Sequence, residues 1–143
     1  MTTTTMKQSA TSSIRTGIVA GLGGGLVFGA LMAMMGMLPM VAMLVQSESP
    51  IVGFGVHMVI SASIGAVYGV IAPRLSGGVA TLIGGALYGV VWWVLGALIA
   101  MPLMLGMTQM VLQIGEPQWL SLMGHIIYGI VTALLFGPLS RRL

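Results

Sequence analysis

Four long apolar stretches without a single charged residue constrain this chain more than any other feature. They cover residues 17–45, 51–73, 79–107 and 119–139. Each reaches the ~20 residues that a helix needs to cross the hydrocarbon core of a bilayer. Only 5% of all residues are charged, whereas soluble domains have about 25%. The sequence therefore predicts an all-α integral membrane protein, built as a four-helix bundle.

The first 16 residues differ from the rest of the chain. They are rich in Thr and Ser, carry Lys7 and Arg15, and lack apolar periodicity, so we expect a mobile cytoplasmic tail over 1–16. Residues 17–143 are predicted to form a single transmembrane domain. The first and third apolar stretches are longer than a span requires, and we expect kinks near Pro39 and Pro102.

The basic residues set the predicted orientation. With four spans, all five basic side chains fall on one side of the membrane, and they are Lys7, Arg15, Arg74, Arg141 and Arg142. The positive-inside rule then places both termini in the cytoplasm, in a bacterial-type inner membrane. The only acids, Glu48 and Glu116, are expected in outer loops over 46–50 and 108–118.

Matched residues in the two halves predict an internal repeat of a helical hairpin. Gly17, Gly21, Gly25 and Gly29 correspond in order to Gly77, Thr81, Gly85 and Gly89, and Glu48, His57, Tyr68 and Gly69 correspond to Glu116, His125, Phe136 and Gly137. The units, 17–75 and 77–143, each contain two crossings and therefore share one orientation. We expect a parallel tandem repeat, with a pseudo-two-fold axis along the membrane normal.

Small residues spaced four apart predict where the helices meet, because they let two backbones approach closely. The positions expected at these contacts are Gly17, Gly21, Gly25, Gly29, Ser61, Gly65, Gly69, Gly85, Gly89, Gly129, Ala133 and Gly137. His57 and His125 lie within such rows, so we expect both imidazoles to face protein rather than lipid.

Three interpretations of the histidine pair follow. Each imidazole forms a hydrogen bond to Ser, Tyr or a backbone carbonyl across a helix interface, or both hold a haem b as axial ligands. In the third interpretation, His57 and His125 bind copper with Met40 and Met107, because thioethers are soft ligands that select Cu(I). The methionines recur at every third position in both halves, over 34–43 and 101–110. Packing by pliable Met side chains is the interpretation we favour for them.

The segment Gly124-His125-Ile126-Ile127-Tyr128-Gly129 opens the last predicted helix. With the four-span layout, it resembles uncharacterised families of small bacterial four-helix membrane proteins. That resemblance implies the fold and implies no activity.

The residue types exclude several classes of function. The chain has no Cys and no Asp, so it lacks the residues of thiol catalysis and of a Ser-His-Asp triad. Its few basic residues are scattered, which argues against nucleic-acid binding. We predict no enzyme and no cofactor, but an accessory subunit in contact with lipid and with other membrane subunits or copies of itself. The alternative is transport of a small cation, a proton or Cu(I) through Glu48, Glu116, His57 and His125.

Overall fold

The first long helix, α1, starts earlier in the chain than the sequence predicts. The computed structural model describes residues 9–72 and 77–143, and α1 spans Ala10–Met34. The Ser9 hydroxyl accepts a hydrogen bond from the Ser12 amide at 3.2 Å and caps the helix. The tail prediction was therefore wrong for residues 10–16, where Ser13 and Thr16 are buried. Residues 1–8 of that tail, with Lys7, lie outside the described residues.

Hydroxyl groups explain the early start of α1. Thr16 donates to the Ser12 carbonyl at 2.9 Å, so its polarity is satisfied within the helix. The Ser13 backbone lies directly against Gly69, the last glycine buried in the second long helix. The Ser and Thr content of this segment predicts a tail because composition does not reveal such contacts.

The first span does not continue to residue 45, because a glycine ends α1. Gly36 has φ +68°, and the Met37 amide donates to the Met32 carbonyl at 2.9 Å, which is a Schellman cap. A short helix, α2 (Leu38–Ala42), and a 3₁₀ turn follow. Pro39 lies in the first turn of α2, where proline is well tolerated, and does not kink a span.

The remaining helices complete the all-helical chain. The second long helix, α3, spans Pro50–Ile71, and the last, α6, spans Glu116–Ser140. Between them lies the third long helix, Gly78–Met104. It consists of α4 (Gly78–Trp92), a π-helical segment (Trp93–Ala100) and α5 (Met101–Met104). Among the described residues no strand is present.

The third long helix ends in the same way as α1. Gly106 has φ +70°, and the Met107 amide donates to the Pro102 carbonyl at 2.8 Å. Pro102 lies in the first turn of α5, directly after the π-helical segment. Gly36 and Gly106 both follow a turn that contains methionine. Their left-handed conformation sets where the first and third long helices end.

Four of these helices, α1, α3, the third long helix and α6, are long and apolar enough to cross a membrane. The most apolar window of α1 is 44% buried and that of α6 is 39% buried. The corresponding windows of α3 and of the third long helix are only 28% buried. Therefore α1 and α6 lie at the centre of the bundle, and the other two helices lie outside them.

Close packing joins α1 to α3, α1 to α6, and α4 to α6. Gly17 and Gly21 of α1 lie against the backbone of Gly65, and Gly85 and Gly89 of α4 lie against the backbone of α6 around Gly129. Gly25 packs on Ser61, and Ala133 is buried against Gly85. Gly137 is also predicted in such an interface, but no atom of the described residues lies within 4 Å of the position that its Cβ would take. The structure therefore shows no close backbone contact at Gly137.

In contrast, α3 and α4 approach each other at few places in the described part of the chain. Phe28 of α1 fits against α6 because residue 124 is a glycine, whose missing Cβ leaves space for the ring. The glycines of α3 contact α1 or α2, or no described neighbour at all, and none of them receives a side chain from α4.

We expect the change Gly65→Ala to destabilise the bundle, because the added Cβ would overlap the Gly17 carbonyl and come within 2.8 Å of Gly21 Cα. The expected loss is about 1–3 kcal/mol, as for other overpacked interfaces. Gly55→Ala on the same helix is the matched control, since no atom lies within 4 Å of its Cβ. Unfolding of both variants in detergent measures the difference. An equal loss in the two variants would contradict the close backbone approach at Gly65.

Candidate functional site

A cavity of about 460 Å³ lies between α3 and the third long helix, where these two helices separate. It occupies the end of the bundle that carries residues 46–49 and 105–115. Its floor is formed by Phe28 and Met32 of α1, and α2 closes one side with Met40 and Val41. The start of α6 supplies His125, so the cavity receives side chains from all four long helices.

Both predicted histidines lie on the cavity wall, and each donates a hydrogen bond to a backbone carbonyl. His57 Nε2 lies 2.9 Å from the Gly25 carbonyl of α1 and 3.4 Å from the Ser61 hydroxyl. His125 Nδ1 lies 2.8 Å from the Ser121 carbonyl one turn earlier in α6. A carbonyl oxygen only accepts, so these two ring nitrogens carry the hydrogen. His57 is 6% exposed and faces protein as the sequence predicts.

The side chain of Phe28 contacts both imidazoles. Its ring centroid lies 5.2 Å from that of His57 and 4.9 Å from that of His125, in edge-on arrangements that suit aromatic rings. A haem held by both histidines would compete with Phe28 for the space beside them. Haem b therefore stays a prediction that this geometry does not favour.

The methionines divide between the cavity and the outer surface. Met40 lines the cavity with the two histidines, whereas Met107, the other predicted copper ligand, lies elsewhere. The sequence missed Met32 as a wall residue, and of the periodic methionines it did not single out Met37, Met101 and Met104, which also line the cavity. Met34 is 84% exposed. Among the described residues no three His or Glu side chains cluster as metal ligands, so a copper site would depend on thioethers.

Two tyrosines, one from α4 and one from α6, donate hydrogen bonds to α3 beside the cavity. Tyr88 of α4 donates to the Ile64 carbonyl at 2.6 Å, and Tyr128 of α6 donates to the Ser61 carbonyl at 2.7 Å. Tyr88 also packs edge-on against Tyr68, with centroids 5.1 Å apart. These contacts hold α3 and α4 together at one end, and the cavity begins where they stop.

The π-helical segment of the third long helix forms the opposite wall. Its wider turns place Gly96 and Ala97 toward the cavity, and Ala100 follows one turn later. No atom lies within 4 Å of the position that a Gly96 Cβ would take. π-Helical segments are rare in proteins, and those that occur often lie at functional sites. In this chain the π-helical segment is a local departure from regular α-helix, and it forms one wall of the cavity.

The tryptophans occupy three different environments. Trp93 is buried and donates from Nε1 to the Gln118 carbonyl at 2.9 Å. It stacks on Trp119, which is 57% exposed, with ring centroids 6.0 Å apart. Trp92 lines the cavity.

The two acidic residues lie outside the cavity. Glu48 is exposed in the connection before α3, and Glu116 is exposed at the first position of α6 rather than in a loop. A carboxylate in the first turn of a helix is favoured by the helix dipole. Transport of a cation would require a path from these two acids to the histidines. The structure does not bring Glu48 or Glu116 together with His57 or His125.

No protein-family model, curated protein or solved structure matches this chain. The predicted resemblance to small bacterial four-helix membrane proteins therefore stays an expectation based on residues 124–129 and the span layout. The candidate site is defined by its own geometry alone.

We expect Tyr88→Phe to loosen the contact between α3 and α4 without removing the aromatic packing on Tyr68. The variant loses the hydrogen bond to the Ile64 carbonyl, and the expected cost is about 0.5–1.5 kcal/mol. Unfolding in detergent measures that cost. Spin labels on α3 and α4 should also report a broader distance distribution. An unchanged stability and distance distribution would show that the hydroxyl does not tie the two helices.

Proposed function

We propose that this chain is a non-catalytic, multi-pass membrane protein that packs as an accessory subunit onto a larger membrane complex. The observation that carries the proposal is the open side of the bundle, formed by α3 and the third long helix. Their most apolar windows are 28% buried, against 44% for α1. A partner that packs on this side would complete the contacts that these four helices leave unmade.

The residue types on the open side support helix docking. In a bilayer, helices gain no hydrophobic energy from association, so close packing decides which surfaces bind. At Gly96 of the third long helix, no atom of the described residues lies within 4 Å of the Cβ position. Met104 is 69% exposed, and its flexible thioether adapts to irregular surfaces. The open side therefore combines small residues with pliable ones.

We further propose that the chain is a tandem repeat in a bacterial-type inner membrane, with both termini in the cytoplasm. Matched contacts support the repeat, because Gly25 meets Ser61 as Gly85 meets Gly129. Gly29 likewise approaches His57, as Gly89 approaches His125. The positive-inside rule supports the orientation, although Arg74 lies outside the described residues.

Single-cysteine variants test this orientation, and the chain has no natural Cys to remove. We expect Gln113→Cys to react with a membrane-impermeant maleimide added outside intact cells, because Gln113 is exposed in the connection before α6. Arg142→Cys, at the exposed C-terminus, should react only after the cells are permeabilised. The reverse labelling pattern would contradict the proposed orientation.

Site-specific photocrosslinking tests the subunit role. A photoreactive residue at Leu87, which is 60% exposed on α4, should form a crosslink to a second, different membrane protein in native membranes. The same residue at Leu26, which is 55% exposed on α1, is the matched control and should crosslink mainly to lipid. Mass spectrometry of the adducts identifies the partner.

Two results would contradict the accessory role. Adducts that contain only a second copy of this chain would make it a homo-oligomer. Equal crosslinking at Leu26 and Leu87 would show that the open side is not a preferred docking surface. Purification of the chain alone from native membranes in mild detergent would argue against a stable complex in the same way.

A further inference from the structure

The two histidines leave one unused hydrogen-bond acceptor each. His57 Nε2 and His125 Nδ1 donate to backbone carbonyls, and an uncharged imidazole has only one N–H group. His57 Nδ1 and His125 Nε2 therefore carry free lone pairs, and the described residues offer neither of them a donor. Neither nitrogen is among the fully enclosed unpartnered atoms of the described residues, so a donor that enters the cavity can reach both. Both side chains line the same cavity.

The cavity has the size and composition of a site for a small lipophilic molecule. Its volume of about 460 Å³ lies within the range of ligand pockets, which are mostly apolar with a few placed polar groups. Phe28, Trp92 and Tyr128 provide aromatic surface, and Met40 and Met101 provide adaptable surface. The described wall carries no Lys, Arg, Asp or Glu. A charged ligand would remain unpaired there.

We propose that this cavity binds a quinol, that is, an uncharged 1,4-dihydroxybenzene ring with an apolar tail. One hydroxyl donates to His125 Nε2 and the other donates to His57 Nδ1, so both free acceptors are satisfied by one rigid molecule. The tail leaves through the gap between α3 and the third long helix, where Val59, Ile60 and Val67 are exposed. The proposal concerns binding only and does not depend on the accessory role.

The π-helical wall provides the space that a ring requires. Gly96 lies on the cavity wall, and no atom of the described residues lies within 4 Å of its Cβ position. We therefore expect Gly96→Leu to fill the proposed site and to leave both histidines and their carbonyl partners in place.

The test measures binding of a decyl-substituted benzoquinol to the purified full-length chain in lipid nanodiscs under anaerobic conditions. Quenching of tryptophan fluorescence reports binding, because Trp92 lies on the cavity wall. We expect saturable binding of the quinol. The matching quinone and the dimethyl ether of the quinol lack hydroxyl donors, so both should bind about tenfold more weakly, the loss expected for two hydrogen bonds.

Two variants and one control locate the site. Gly96→Leu should reduce quinol affinity by at least about tenfold, since a bulky side chain occupies the ring position. His125→Phe keeps an aromatic side chain but removes one acceptor, so the preference for quinol over quinone should fall to about threefold. Gly55→Leu, which adds the same bulk outside the cavity, should bind the quinol as the natural chain does. Matched unfolding profiles identify variants that still fold.

Several outcomes would overturn the proposal. Absence of saturable quinol binding to the natural chain does so directly, without reliance on any variant. Equal affinity for the quinol, the quinone and the dimethyl ether would leave an apolar cavity without hydrogen-bond recognition. Undiminished binding to a folded Gly96→Leu variant would place the ligand elsewhere. Stoichiometric copper in native material, with nitrogen and sulfur ligands, would assign the free lone pairs to a metal instead.

Discussion

Backbone contact between glycines is the constraint on which this structure depends. Lipid tails are as apolar as leucine side chains, so apolar burial gives helices in a bilayer little reason to associate. Association instead requires many close atomic contacts. Gly17, Gly21 and Gly65 supply them by bringing the backbones of α1 and α3 together, and Gly85 and Gly129 do the same for α4 and α6. The glycines therefore bring the backbones together, and buried clusters around Tyr68 and Phe28 pack beside them.

Glycine contacts explain why the bundle is closed on one side and open on the other. Gly124 accepts the Phe28 ring, and this contact seals α1 against α6 beside both histidines. On α3, none of the glycines receives a side chain of α4. Tyr88 of α4 reaches the Ile64 carbonyl of α3 instead. The cavity lies beyond that contact, where α3 and the third long helix separate.

The sequence predicted those features that depend on local spacing and composition. Four uncharged apolar stretches predicted four long helices, and glycines four apart predicted the faces that carry Gly17, Gly65 and Gly85. The ends of the helices were harder to predict, because the apolar stretch continues through Gly36 into α2 without a change in composition. The left-handed conformation of that glycine is visible only in the structure.

The candidate site was predicted in part for similar reasons. His57, His125 and Met40 share one cavity, as helix positions alone suggested. Met107 does not, because Gly106 turns the chain away after α5. Neither the π-helical segment nor the open side has a sequence pattern of its own. Gly124 is visible in the sequence, but its role depends on the contact with Phe28 that the structure shows.

Three polar side chains in this bundle share one arrangement, and the histidines depart from it. Tyr88, Tyr128 and Trp93 each have one donor group and give it to a main-chain carbonyl of another helix. A helix carbonyl keeps a second lone pair, so it accepts such a bond without losing its own partner. Imidazole has a donor and an acceptor, and the same arrangement satisfies only its donor. The remaining nitrogens of His57 and His125 are therefore acceptors on the cavity wall to which a ligand can donate hydrogen bonds.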